Sequence, residues 1–157
     1  SRAGRSSALP VVEATVAASV QAARDASAKA VIVLAVTGAT ASLLAKYKCG
    51  SPVVVVTAYD HVARYCQAMI PGAYVLHVPT LTHYGYADAD GDDEFKMVSE
   101  GTKFACALGL VAHADDILCA VHSYRVSMTK NIAMRFFHAP SALDAAATPP
   151  RWWWSAD

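Results

Sequence analysis

Residues 36–42 read VTGATAS, which places three hydroxyl side chains, Thr37, Thr40 and Ser42, around a single glycine, Gly38. An apolar, β-branched run, AVIVLAV, leads into this stretch from residue 30. Behind it, residues 39–47 carry Leu43, Leu44 and Tyr47 at helical spacing. A turn from a strand into a helix aims unpaired backbone N–H groups and the positive end of the helix dipole at one point. That arrangement favours an anion, and the hydroxyls would add neutral hydrogen bonds. The turn has neither a Walker lysine nor the spaced glycines of a dinucleotide fingerprint. A plain helix start therefore stands beside the anion reading, with Thr37 as the cap and Gly38 making the turn.

A second group with chemical potential is His122, Tyr124 and Arg125, in VHSYRVSMTK, at the end of the fourth predicted strand and on the same sheet edge. An arginine, an aromatic ring and Lys130 there could close over a phosphorylated ligand, since guanidinium groups bind phosphate in a bidentate way. An exposed basic hairpin is the competing reading. The acidic stretch 88–93 is not a calcium loop: with Asp88 as position one, Asp93 stands at position six, where glycine is needed, and Ser99 at position twelve, where glutamate belongs. The remaining histidines, His61, His77, His83, His113 and His138, are scattered, and no nucleophile–base set or carboxylate pair assembles around the strand ends. Cys49, Cys66, Cys106 and Cys119 show no zinc spacing and read as reduced, mostly buried thiols. Near the end, Arg151 precedes Trp152, Trp153 and Trp154, which would dock on this domain or on a partner subunit rather than stay in water.

The elements that must position these residues follow from periodicity. The chain has 157 residues, 55% of them hydrophobic and only 17% charged, with zero formal net charge. This is enough for one domain with a large core, or for apolar surface hidden in an oligomer. No basic stripe marks a nucleic-acid or anionic-membrane surface, and no uncharged run is long enough to span a bilayer, so a cytoplasmic protein is expected. Predicted helices start near residue 10, at residue 39, after Asp60 as N-cap, and near residue 91, the last with Asp92, Asp93 and Glu94 near its positive end. Predicted strands cover 30–36, 53–57, 73–78, 115–123 and 132–139. The last two are joined by about ten irregular residues, which suits an antiparallel hairpin better than a crossover. Strands alternating with helices predict an α/β fold: a three-layer α/β/α sandwich around a five-stranded, mostly parallel sheet with an antiparallel edge strand. The expected organisation is a disordered tail over 1–9, the domain over 10–139 and a tail over 140–157.

The order and wording of these elements resemble the C-terminal domain of pyruvate kinases, over residues 10–139. The most specific stretch is KAVIVLAVTGATASLLAKYKCGSPVVVVT, residues 29–57. It is similar to the family's apolar strand, Thr-x-Ser/Thr-Gly-Arg-Ser/Thr-Ala turn, helix ending in basic-Tyr-basic, and Pro-led strand closing in Val-Thr. Thr37, Gly38, Thr40, Ala41, Lys46, Tyr47, Lys48, Pro52, Val56 and Thr57 match. Glu13, Ala17 and Val20 resemble the preceding helix, and Met134 and Arg135 the last strand. The resemblance implies an allosteric sugar-bisphosphate site, with Thr37, Gly38, Thr40, Ser42, Tyr124 and Arg125 as candidate phosphate or effector ligands. Ala35 stands where the family has a hydroxyl and Ala39 where it has an arginine, while Val126, Ser127, Met128 and Thr129 replace expected glycines. It also implies self-association or assembly with a pyruvate kinase subunit, and a phosphorylated sugar or inorganic anion as ligand. The family's catalytic barrel has no counterpart in this sequence. Magnesium and potassium are therefore expected only where that barrel is present, no cofactor is expected here, and the chain alone is expected to be non-catalytic. The alternative is that it is part of an active pyruvate kinase.

Overall fold

A computed structural model describes residues 9–80, 91–126 and 129–139. The expectations for the N-terminal tail up to residue 8, the 81–90 loop with its aspartates, residues 127–128 and the tryptophan tail lie outside these residues. The element order is α1 (Val11–Asp25), β1 (Ala30–Leu34), α2 (Ala39–Lys46), β2 (Val53–Thr57), α3 (Asp60–Met69), β3 (Tyr74–His77), α4 (Gly91–Ala107), β4 (Ile117–Val126) and β5 (Thr129–His138).

The five strands form one sheet in the order β3-β2-β1-β4-β5. β1 pairs in parallel with β2 and β4, β2 pairs in parallel with β3, and β4–β5 is antiparallel. All five residues of β1 are buried. A strand covered on both faces needs no polar alternation, which is why AVIVL reads as one apolar run. One face packs Ile32, Leu34, Val54 and Val56 against Phe95, Met97, Val98 and Ala105 of α4. The other packs Val31, Val33 and Val55 against Val16 and Val20 of α1, Ala41 and Leu44 of α2, and Val62 and Cys66 of α3. The predicted α/β/α sandwich is thus the observed fold, with three helices on one face and one on the other.

The single helix on its face sits close to the sheet. A β-carbon placed on Gly101 of α4 would lie 2.7 Å from Cγ2 of Val56 and 2.8 Å from Cγ2 of Ile32. The missing side chain lets helix and strands meet there.

Three details differ from the sequence reading. Asp60 is the first residue of α3 rather than its cap, and Tyr59 takes the cap position. Its N–H is held by Oγ1 of Thr57 at 3.2 Å. Glu94 does not simply face solvent at the positive end of α4, because its side chain is only 15% exposed. The last two strands are each ten residues long, so only residues 127 and 128 stand between them. Polar residues such as Ser123, Lys130 and Asn131 read as loop, yet they extend a two-stranded ribbon whose β4 pairs with β1 only as far as His122.

Between α1 and α2, the carboxylate of Glu13 accepts from Nζ of Lys46 at 2.5 Å and from the Tyr47 hydroxyl at 2.7 Å. The bond from Lys46, then that from Tyr47, holds the Glu13 carboxyl below its ordinary value of 4.5. A carboxyl depressed on folding stabilises above its unfolded value and loses that contribution as pH falls through the folded one. Thermal midpoints of the wild type and Glu13→Gln should therefore differ above about pH 4.5 and converge in stronger acid. Parallel curves at all pH values would refute the linkage.

Candidate functional site: the carboxyl edge of the sheet

From β1 the chain passes through α2 to β2 on one side, whereas α4 delivers it to β4 on the other side of β1. The crevice outside the carboxyl ends of β1 and β4 is therefore the topological switch point of the sheet, the place where open α/β sheets receive ligands. The 36–42 turn lies at this edge.

Gly38 is the N-cap of α2 and has φ +85° and ψ −5°, a left-handed conformation that glycine adopts without steric cost. The N–H of Ala35 is tied to the carbonyl of Val56 at 2.9 Å, which fixes the approach to the turn. Thr37 Oγ1 accepts from the N–H of Ala39 at 3.3 Å, so this hydroxyl organises the turn two residues on while keeping its own proton to donate. The Ser42 hydroxyl donates to the Gly38 carbonyl at 3.1 Å, and this spends its proton inside the helix. Thr40 is buried, at 5% exposure. The donors left to face an anion are the first-turn N–H groups that have no carbonyl four residues behind them within the helix.

Sequence reasoning missed one neighbour. A β-carbon at Gly38 would lie 3.0 Å from Cδ1 and Cε1 of Tyr65 and 3.2 Å from Sγ of Cys66. Tyr65 of α3 is 43% exposed and walls one side of the turn. Only the helical spacing of α3 relative to Gly38, a tertiary fact, could have named it.

Two members of the second candidate group, His122 and Tyr124, share one face of their strand. His122 pairs in register with Leu34, and Tyr124 lies two residues further along on the same, α4 side. His122 is buried and faces Glu94, so it is not open to a ligand at the edge. Tyr124 is exposed, and its ring centroid is 5.8 Å from that of His122. Arg125 is a strand residue paired with Lys130, not part of a loop. At the opposite, amino edge of the sheet, Leu44, Lys48, Cys49, Pro52, Ile70 and Gly72 help line an open cleft of about 220 Å³ that contains none of these residues. All four cysteines are free thiols, and burial pushes that of Cys119 up to about 12. Among the described residues, no three His, Cys, Asp or Glu side chains form a group that could hold a metal ion. No helix among them is long and apolar enough to cross a membrane.

The family pattern for the pyruvate kinase alpha/beta domain matches residues 13–134. The chain belongs to that family. It is 33% identical over 109 residues to a pyruvate kinase of Debaryomyces hansenii, covering 69% of this chain and 21% of that protein. It is 31% identical over 106 residues to pyruvate kinase 2 of Saccharomyces cerevisiae, covering 68% and 20% respectively. Among solved structures, Cryptosporidium parvum pyruvate kinase in complex with ADP superposes with a TM-score of 0.69 at 23% identity. That match covers 87% of this chain and 25% of that one, and it carries the fold alone. The pyruvate kinase alpha/beta domain described here spans about a fifth of the length of the curated relatives it matches.

Proposed function

We propose that this alpha/beta domain is a regulatory and oligomerisation module, non-catalytic by itself, with a weak site for a phosphorylated sugar or inorganic anion at the β1–α2 turn. The observation that carries the reading is the left-handed Gly38 at the switch point, which opens the N-terminus of α2 to the carboxyl edge. Thr37, Gly38 and Thr40 are the proposed contacts, with Ser42 shaping the turn. Thr40 would act through its N–H, since its side chain is buried. Tyr124 and Arg125 are proposed to approach from β4. Ala39 supplies no charge, so the bonds to the anion are neutral ones and affinity is modest, with dissociation constants of about 1 mM or roughly −4 kcal/mol. Ala39→Arg should tighten sulfate binding, as read by isothermal titration. An unchanged or weaker affinity would count against this placement of the anion.

A cytoplasmic location and self-association complete the proposal. Self-association is supported by the low charge fraction and by β5, a ten-residue strand at the sheet edge. Light scattering at high concentration should give more than a monomer, and a strict monomer would remove that part.

A second reading is that the domain serves within an active pyruvate kinase, which is favoured by the relatives being pyruvate kinases about five times its length. On either reading the chain alone should form no pyruvate from phosphoenolpyruvate and ADP with magnesium and potassium present. Turnover that survives purification to homogeneity would overturn this.

A further inference from the structure

Under the first turns of α4, three ionisable side chains from three elements meet, Glu94 and His122 largely buried and Arg135 28% exposed. Oε1 of Glu94 lies 3.1 Å from Nε2 of His122 on β4 and 3.6 Å from Nε of Arg135 on β5. The side chains of His122 and Glu94 are only 7% and 15% exposed. Oε1 of Glu94, Nε2 of His122 and Nε of Arg135 are all buried atoms whose hydrogen-bonding capacity the present side-chain orientations leave unmet among the described residues. One carboxyl oxygen thus faces a base on one strand and a cation on the next.

We propose that Glu94 is protonated against a neutral His122, and that when this proton leaves the carboxylate is shared between Nε2–H of His122 and the Arg135 guanidinium. The first turns of α4 are then latched to β4 in both states, and in the deprotonated one they are drawn to β5 as well. The latch stands whether or not the β1–α2 turn binds an anion. It matters to the edge because the β4–β5 ribbon it grips carries Tyr124 and Arg125.

Chemistry decides where the proton sits. Burial pushes the Glu94 carboxyl up to about 7, with Arg135 pulling it back. Burial, aided by Arg135, pushes the His122 imidazole down to about 4. The ring is therefore neutral on both sides of the transition. With Glu94 protonated, the carboxyl O–H can donate to a bare Nε2, which requires the imidazole proton on Nδ1. With Glu94 ionised, Nε2–H can donate to the carboxylate, which requires the other tautomer. Each state conserves the ring's single proton, and the proton that is lost goes to solvent. On α4, Asp93 lies 3.8 Å from Lys96, and on β4 the Tyr124 ring adjoins that of His122. From β1, the same face presents Ala30, Ile32 and Leu34, none of them charged.

The sign of the linkage gives a second readout. A raised carboxyl lowers stability as pH climbs from its unfolded value to its folded one, whereas a depressed imidazole raises stability over its own window. In the wild type these opposing trends overlap from about pH 4.5 to 6.5 and largely cancel. In Glu94→Gln only the imidazole trend remains.

The test is ¹⁵N NMR of the imidazole rings of the whole chain across about pH 5–9, with His122 assigned by comparison with His122→Gln. The wild-type ring should remain neutral while its two nitrogen shifts exchange character with a midpoint near neutrality. That transition should vanish in Glu94→Gln and move to higher pH in Arg135→Gln. Thermal midpoints of Glu94→Gln should rise over about pH 4.5–6.5 more steeply than those of the wild type. An imidazolium forming at the ordinary histidine value, or nitrogen shifts that stay constant through neutrality, would overturn the latch. An unmoved midpoint in Arg135→Gln would remove Arg135 from it.

Discussion

Gly101→Val should unfold this domain more readily than any surface substitution, with a loss of about 2–3 kcal/mol. Two effects compete at this position. Replacing an interior helical glycine usually stabilises by up to about 1 kcal/mol through backbone entropy. Here the added β-carbon would sit 2.7 Å and 2.8 Å from methyl groups of Val56 and Ile32, distances at which helix or strand must shift. Both partners are buried in central strands and cannot swing away. Overpacking of this kind costs about 1–3 kcal/mol, so sterics win. The graded series is informative: Gly101→Ala should lower the thermal midpoint by about 4–8 °C if the net loss is near 2 kcal/mol, and valine by more. A midpoint unchanged or raised in Gly101→Ala would show that α4 stands further from the sheet than described.

Gly38→Val should be nearly as damaging to stability and should abolish anion binding. At φ +85° a β-branched residue is strained, a cost of about 1–3 kcal/mol. Its β-carbon would also press on the Tyr65 ring and the Cys66 sulfur. Tyr65 is partly exposed and can yield, whereas Cys66 is fully buried, so the conformational strain sets the floor of the loss. Gly38→Asn separates the two roles, because asparagine tolerates the left-handed region. It should retain more stability than the valine variant while still crowding the turn. Equal stability of the valine variant and the wild type, by chemical denaturation, would exclude the left-handed turn.

How far the sequence carried this description depended on the range of the forces involved. VVVVT gave β2 to the residue, since an apolar β-branched run framed by Pro52 and Ala58 has few other conformations. The start of α2 was legible because Gly38 must end what Leu34 belongs to. The ribbon formed by the far halves of β4 and β5 was not legible. Tyr124, Arg125 and Asn131 have polar, loop-like chemistry, and only their pairing across the hairpin makes them strand. Burial of His122 and Glu94 was hidden for a similar reason. Each reads alone as an edge or dipole residue, and their meeting is set by how α4 crosses the sheet. Tyr65 beside Gly38 is likewise a product of packing between α3 and α2. Membership of the pyruvate kinase alpha/beta domain family could be read from local motifs. The contacts that decide whether the turn binds anything could not.

On the proposed function, the 36–42 turn receives an anion through its backbone. The most direct measurement is an amide NMR titration of the domain with sulfate and, separately, with fructose 1,6-bisphosphate. Saturable shifts in the amides of residues 37–42, at millimolar ligand and lost in Gly38→Val, are the predicted result. If those amides stay still while others move, the turn is only the start of a helix and the claim is wrong.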